Sequence, residues 1–312
     1  MARTLAQAQE LTQDMLVKGV IEELIKTEEI LRLLPFKGVV GSAYAYNRED
    51  EDNPPSVGWY NVGDTLVEST GQTEQITTAL KILIGQADTD LFVEQTMSNI
   101  NEQHALDVQM VAKAMAHEFL DVVVYGDEDS DGFDGLHVLC DDIGTANCTV
   151  NEGAGTTPAA LSLAHLDEAI DMVTAGKPDV ILCNKTVRRR LTQYLRTVGS
   201  YLTERDEYGN LWMVWQGIPI VASDWIVQTE AISGGDYSAK TGGTGSSIFV
   251  IKFGERDGLV GLENGGIQYE TFDKLESKDA MRTRLKWYVG MALHSTKSIA
   301  RIDGISDAVA TS

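Results

Sequence analysis

Three stretches of this 312-residue sequence place residue types at spacings that chemistry uses. Asp127-Glu128-Asp129-Ser130-Asp131-Gly132 matches the first half of a calcium loop, D-x-D-x-D-G, in which alternate side chains offer oxygens to a hard cation. The twelfth position of such a loop needs a bidentate acid, and here it is Val138, so the stretch reads as a solvated acidic turn. His117-Glu118-Phe119-Leu120-Asp121 has the outline of a zinc-protease helix with Asp in place of the second His. Phe119 belongs to an apolar stripe, which puts His117 and Asp121 off to one side, and no third ligand is indicated. Gly234 to Thr241, GGDYSAKT, misses a phosphate loop by one residue, Ala239 standing where the second glycine belongs, and it runs on toward a strand rather than a helix. It reads as a flexible surface loop within a glycine-rich tract over 233–247. Five histidines show no metal-ligand spacing, and no Ser or Cys nucleophile motif is present. Cys140, Cys148 and Cys183 are an odd count that suits reduced, partly buried thiols. No catalytic, metal-binding or cofactor-binding residue is expected, and no enzymatic activity.

The charge balance excludes further classes. Acids outnumber bases 47 to 25, a formal net charge of −22, and the only basic cluster is Arg188-Arg189-Arg190. Such a chain is repelled by phosphate backbones, so direct nucleic-acid readout is not expected, whereas a container wall that must not grip enclosed DNA tolerates this charge. No apolar run reaches membrane-spanning length, and residues from Met1 onward lack the apolar core of a signal peptide, so a chain that folds in a cytoplasm without a membrane partner is expected.

The positioning elements follow from periodicity. Leu11, Met15, Leu16, Val20, Leu24 and Leu31 predict an amphipathic helical arm over 5–34, ended by Pro35. Residues 39–86 read as a long excursion. Tyr44 and Tyr46 alternate with alanines, an acidic run covers 49–52, and Ile76, Thr78, Leu80, Ile82 and Ile84 alternate at strand period. Val93, Met97, Ile100, His104, Val108, Val111, Met115, Phe119 and Val122 step by three or four, which predicts one long helix, with Asp90 as its cap and Gly126 just past its end. Between 135 and 270 short elements alternate into a compact α+β unit. Ser162 caps a helix ended by Gly176, 180–183 is a buried strand, Asn184 caps a second helix closed by Gly199, and a hairpin turns at Gln216-Gly217. Finally Met281, Thr283, Leu285, Trp287, Val289, Met291 and Leu293 alternate with Arg282, Arg284, Lys286 and Tyr288, a strand of about 13 residues where five or six is usual.

The order of these elements, more than any motif, resembles the major capsid protein of tailed double-stranded DNA bacteriophages, the Hong Kong 97-type fold. The local matches are Gly135-Leu136, 180–184, 217–224, Phe253-Gly254-Glu255 and 300–304. The resemblance implies an α+β fold with an N-terminal arm (1–38), an E-loop hairpin (39–87), a P-domain spine helix (88–134), an A-domain (135–268) and a P-domain loop and long strand with a C-terminal return (269–312). It implies hexamers and pentamers of this chain forming an icosahedral head around DNA that is enclosed without specific contacts. Scaffolding, portal and decoration proteins are the implied partners, the virion is the implied location, and the host cytoplasm is where assembly would occur. An encapsulin-type nanocompartment shell is the alternative within that fold, and a metal-dependent hydrolase using the 127–131 acids is the alternative outside it. Two departures count against carrying over everything. There is no room for a cleaved scaffolding segment before the arm, and Lys81 is the only lysine of the excursion while 273–279 contains no Asn, so covalent crosslinking of subunits is not expected. Tyr44, Tyr46, Trp59, Tyr60, Arg282 and Arg284 are the candidate assembly-interface residues.

Overall fold

A computed structural model of the chain describes residues 29–49, 54–65, 68–90, 100–130, 132–199, 203–205, 211–272 and 280–311. Most of the expected helical arm lies outside these residues. Its last turn is α1 (Glu29–Leu33), which stops before Pro35. After β1 (Phe36–Gly38), β2 (Ala43–Glu49) and β3 (Thr73–Ala79) pair antiparallel, Tyr44 opposite Thr78 and Tyr46 opposite Ile76. The next strand, β4 (Lys81–Asp90), joins a different sheet, so the alternating run over 76–84 is strand on both sides of a joint at Leu80.

The long helix is α2 (Ile100–Tyr125), 26 residues and thus about 39 Å at 1.5 Å per residue. Val93 and Met97 lie outside the described residues, and so does any capping by Asp90, which is the last residue of β4. Val108, Met115 and Phe119 of the expected stripe are buried, while Val111 and Val122 are half-buried. The covered face is wider than the stripe, because Ala112, Ala116, Leu120, Val123 and Val124 are buried as well. Gly126 follows the helix directly and donates its N–H to the Val122 carbonyl at 2.7 Å.

Beyond it come α3 (Leu136–Ile143), α4 (Thr145–Cys148), β5 (Thr149–Asn151) and α5 (Leu163–Met172). Ser162 holds the cap position of α5 in extended conformation, but its side chain makes no capping bond. Next is β6 (Val180–Asn184), and Asn184 caps α6 (Lys185–Val198), its Oδ1 accepting the Thr186 N–H at 2.7 Å. The chain continues through β7 (Thr203–Arg205), β8 (Leu211–Trp215) and β9 (Ile218–Ser223). The β8–β9 turn has Gln216 at φ 50° and Gly217 at φ 74°, the two left-handed positions that a tight hairpin of the right twist demands. The glycine-rich tract is not a loose loop. It holds β10 (Ala231–Ser233) and β11 (Asp236–Ala239), a hairpin that turns at two glycines and lies against the body of the chain. The remaining strands are β12 (Ile248–Ile251), β13 (Leu259–Phe272), β14 (Ala280–Leu293) and β15 (Ile299–Asp303).

Two sheets carry the architecture: a long one of order β1-β13-β14-β4 and a seven-stranded one of order β5-β15-β12-β6-β9-β8-β7. The seven-stranded sheet is covered on both faces. Val180, Leu182, Phe249, Ile251 and Ile299 enter one core with α2 and the long sheet. Their neighbours Ile181, Cys183, Ile248, Val250, Ala300 and Ile302 enter a second core with α5 and α6. A strand buried on both sides is apolar at consecutive positions, which explains the unbroken runs 180–183 and 248–251. One face of the long sheet packs against α2, and the other is covered only where the β2–β3 hairpin lies over Val260, Leu262 and Ala292. Thr283, Leu285, Trp287, Val289, Met291 and Leu293 of β14 are buried, and Trp287 stacks at 4.8 Å from Phe119 of α2 and 5.6 Å from Phe36.

Sheet membership cuts across the divisions expected from sequence. β4 straddles 87/88, β13 belongs to the long sheet although the 135–268 segment contains most of it, and β15 returns to the seven-stranded sheet. Pairing between strands far apart in sequence decides this, and periodicity within one segment does not report it.

Candidate assembly surfaces and a buried polar seam

The β2–β3 hairpin is fastened at its base. The rings of Tyr44 and Tyr46 stack 5.7 Å apart, and both lie against His294, at 5.8 and 4.9 Å. The Tyr44 hydroxyl is 2.8 Å from Lys37 Nζ and 3.2 Å from His294 Nε2, and the Tyr46 hydroxyl donates to the Leu293 carbonyl at 2.7 Å. Below them Val39, Val260, Leu262 and Ala292 form a small core of their own. Both tyrosines therefore spend faces and hydroxyls within the chain. At the tip of the excursion Val57, Trp59 and Val62 are 90%, 104% and 108% exposed and Tyr60 is 41% exposed. Residues 49–80 hold seven acids and no base, so this apolar tip sits in a negative field.

The outer face of the long sheet carries the other two candidates. Arg282 grips the Asp88 carboxylate with two nitrogens, at 2.6 and 2.7 Å. Arg284 donates to Gln86 Oε1 at 3.3 Å and lies over the Phe272 ring at 5.3 Å. Beside them on β4, Ile82 and Ile84 are exposed while Leu83, Gly85 and Ala87 face inward. The inversion has a cause in packing. A Cβ at Gly85 would stand 2.4 Å from Val111 Cγ1 and 3.1 Å from Met115 Sδ, so small inward residues let α2 lie close, and the large ones are left outside.

The stretches singled out for chemistry are otherwise engaged. Asp127 Oδ1 accepts the Asp129 N–H and Asp134 Oδ1 accepts the Glu128 N–H, both at 2.9 Å, an acidic turn closed on its own backbone; Asp131 lies outside the described residues. The His117 ring lies 5.2 Å from that of Trp225, tilted by 51°, and Asp121 forms an ion pair with Lys240, so each side chain is engaged elsewhere. Cys140, Cys148 and Cys183 are free and wholly buried, and burial pushes the Cys183 thiol up to about 12.

Sequence reasoning missed the most polar interior of the molecule. Where the compact body meets the end of α2, Arg301 and Asp303 are both 0% exposed, and His137 and Glu230 are each 1% exposed. Arg301 Nε lies 2.9 Å from Asp303 Oδ2 and its NH2 2.8 Å from Asp141 Oδ1, while NH1 donates to the His137 carbonyl at 3.1 Å. The same NH1 is 3.3 Å from His137 Nδ1, which leaves the imidazole hydrogen on Nε2, 3.5 Å from Glu230 Oε1. Burial holds His137 down to about 3, so the ring is neutral. Tyr237 of the β10–β11 hairpin stacks on it at 3.6 Å. The only trace in the sequence is a pair of charges at alternate positions of an otherwise apolar strand, Ile299-Ala300-Arg301-Ile302-Asp303.

No family model matches the chain, and no curated protein matches it. Solved structures do. The encapsulin of the holo-SrpI encapsulin complex from Synechococcus elongatus superposes with a TM-score of 0.65 at 15% identity, over 91% of this chain and 89% of that one. The capsid of a native GTA particle gives 0.59 at 13% identity, over 89% and 90%. A chain of Mycobacterium phage Bobi gives 0.54 at 14% identity, over 91% and 90%. Nearly the whole chain is matched in each case, and its fold is the α+β Hong Kong 97-type fold of these capsid and encapsulin shells.

Proposed function

We propose that this chain is a non-catalytic shell subunit, the major capsid protein of a tailed double-stranded DNA bacteriophage, assembling into the hexamers and pentamers of an icosahedral head. The observation that carries this reading is the hairpin tip. Val57, Trp59 and Val62 are exposed, nothing among the described residues covers them, and they sit on a fold shared with shell proteins. Between 54 and 72 there is too little apolar material to form a core, so the covering surface must come from another molecule. A second copy supplies it in a head-to-tail contact, which closes into rings when repeated. Trp59 and Tyr60 are the anchors, Arg282 and Arg284 belong to the receiving sheet face, and the Tyr44–Tyr46 stack fixes the angle at which the hairpin leaves the body. The net charge of −22 suits a wall that encloses DNA without gripping it. Scaffolding, portal and decoration proteins are the other partners, the virion is where the assembled protein resides, and the host cytoplasm is where it assembles.

The test replaces residues 48–73 by a short Gly-Ser linker. The shortened protein should melt cooperatively as a monomer and form no shells under electron microscopy, where the full chain forms them. Normal particles from the shortened protein would remove the hairpin from the assembly mechanism. The TM-score of 0.65 to the encapsulin supports a second reading, a nanocompartment shell. The contents of native particles distinguish the two: nuclease-protected DNA of genome length supports a phage head, and protein cargo without DNA supports the nanocompartment.

A further inference from the structure

The seam between the compact body and α2 is one hydrogen short. Ser247 Oγ lies 2.6 Å from Glu230 Oε2 and 2.9 Å from Asp303 Oδ1, and it has a single hydrogen to give. The other oxygens of both acids are engaged. Glu230 Oε1 accepts the Tyr125 hydroxyl at 2.5 Å and faces His137 Nε2, and Asp303 Oδ2 accepts the Tyr237 N–H at 2.9 Å beside Arg301 Nε. With both carboxylates ionised, one of the two short Ser247 contacts would set lone pair against lone pair, in a site without water access. The charge count agrees. Arg301 is matched by Asp303 and by the half-exposed Asp141, and His137 is neutral, so an ionised Glu230 would be an unmatched buried charge.

The groups around this site come from every element that meets there: Tyr125 from α2, His137 and Asp141 from α3, Arg301 and Asp303 from β15, Tyr237 from the β10–β11 hairpin, and Ser247 before β12. That hairpin lies across the seam as a strap. Its Lys240 pairs with Asp121 of α2, its Asp236 accepts from Asn151 of β5 at 3.0 Å, and Glu230 is paired with Gly245 through both backbone bonds at its root.

We infer that Glu230 and Asp303 share one proton through Ser247, and that loss of this proton unseats the 230–245 strap, so that the seam between the two bodies of the chain is a latch opened by rising pH. Burial raises both acids, Glu230 to about 7, while Ser247, Tyr125 and Arg301 oppose the shift on Glu230. The sign follows from linkage. A native state that holds its proton above the unfolded value loses stability as pH rises from about 4.5 to about 7 and is level beyond. His137 acts in the opposite direction between about 3 and 6.5, which masks the effect in the bare pH profile of the protein. The comparison must therefore be against a variant that keeps His137.

Glu230→Gln mimics the protonated acid. The unfolding constant of the native chain relative to this variant should rise roughly 300-fold between pH 3.5 and 8.5, the equivalent of the upward shift on Glu230. Hydrogen exchange in 228–247, corrected for intrinsic rate, should accelerate above pH 7 in the native protein and not in the variant. Equal pH profiles, or equal exchange, would overturn the latch. Should the variant not fold, the infrared spectrum of the native protein decides. The carbonyl band of a buried carboxylic acid, present at pH 6 and lost by pH 8.5, supports the shared proton, and its absence at pH 6 refutes it. None of these readouts depends on whether the chain builds a shell.

Discussion

Two regions of this molecule invert the usual distribution of side chains, in opposite directions. At the seam, an arginine, an aspartate, a glutamate and a histidine are buried; at the hairpin tip, a tryptophan and two valines are bare. The seam's charges find partners within the chain in Asp141, Tyr125, Ser247 and backbone groups, although the seam stays one hydrogen short. The tip's apolar area is answered by nothing among the described residues. The seam's partners all lie within one subunit, whereas the proposed contact with a second copy would cover the tip.

The contrast can be broken at either end. Arg301→Ala should be the most damaging single change, leaving Asp303 as an unpaired buried charge at a cost of about 3–5 kcal/mol, read as a fall in the denaturant midpoint. If its stability matches the parent, the seam is wetter than its geometry implies. Gly85→Ala comes next. Its methyl group would press on Val111 between β4 and α2, and overpacking of this kind costs about 1–3 kcal/mol. An unchanged melt would mean that the helix can lift away. Asn184→Ala removes the capping bond and the bond from Nδ2 to the Ile226 carbonyl, and should cost about 1–2 kcal/mol without touching either region, a calibration for the other two. Trp59→Ser should change the monomer's melting temperature by nothing measurable, because none of the described residues covers the ring. It should nevertheless reduce particle yield in sedimentation, and a destabilised monomer would show that the tip folds back on its own chain.

What was legible in the sequence was whatever a single segment decides alone. Asn184 and Gln216-Gly217 announced a cap and a turn because backbone conformation there depends on those residues themselves. The period of β14 and the stripe of α2 survived because, over most of its length, each packs one face against the other's layer. β4 shows how far this goes. Its alternation correctly gave a strand, yet the isoleucines point outward because Gly85 and Ala87 are needed against α2, and only the partner's surface carries that information. The glycine-rich tract misled for a related reason. Its order comes from Tyr237 on His137 and Lys240 on Asp121, partners about 100 residues distant or more. The seam itself was illegible, since Glu230, His137 and Arg301 are unremarkable singly and meaningful only together.

The place of β15 in its sheet has a further consequence. It lies between β12, which it meets antiparallel, and β5, which it meets parallel with Arg301 opposite Thr149, about 150 residues earlier. During synthesis every other strand of that sheet leaves the ribosome before it. At about 5–20 residues per second β5 waits many seconds for its neighbour, and pairings of such separation are slow to find even then. Until β15 arrives, Tyr125, Glu230 and Ser247 lack Arg301 and Asp303, and the compact body cannot lock to the helix that carries the long sheet. The compact body and the helix therefore cannot take their final mutual arrangement until translation has passed Asp303.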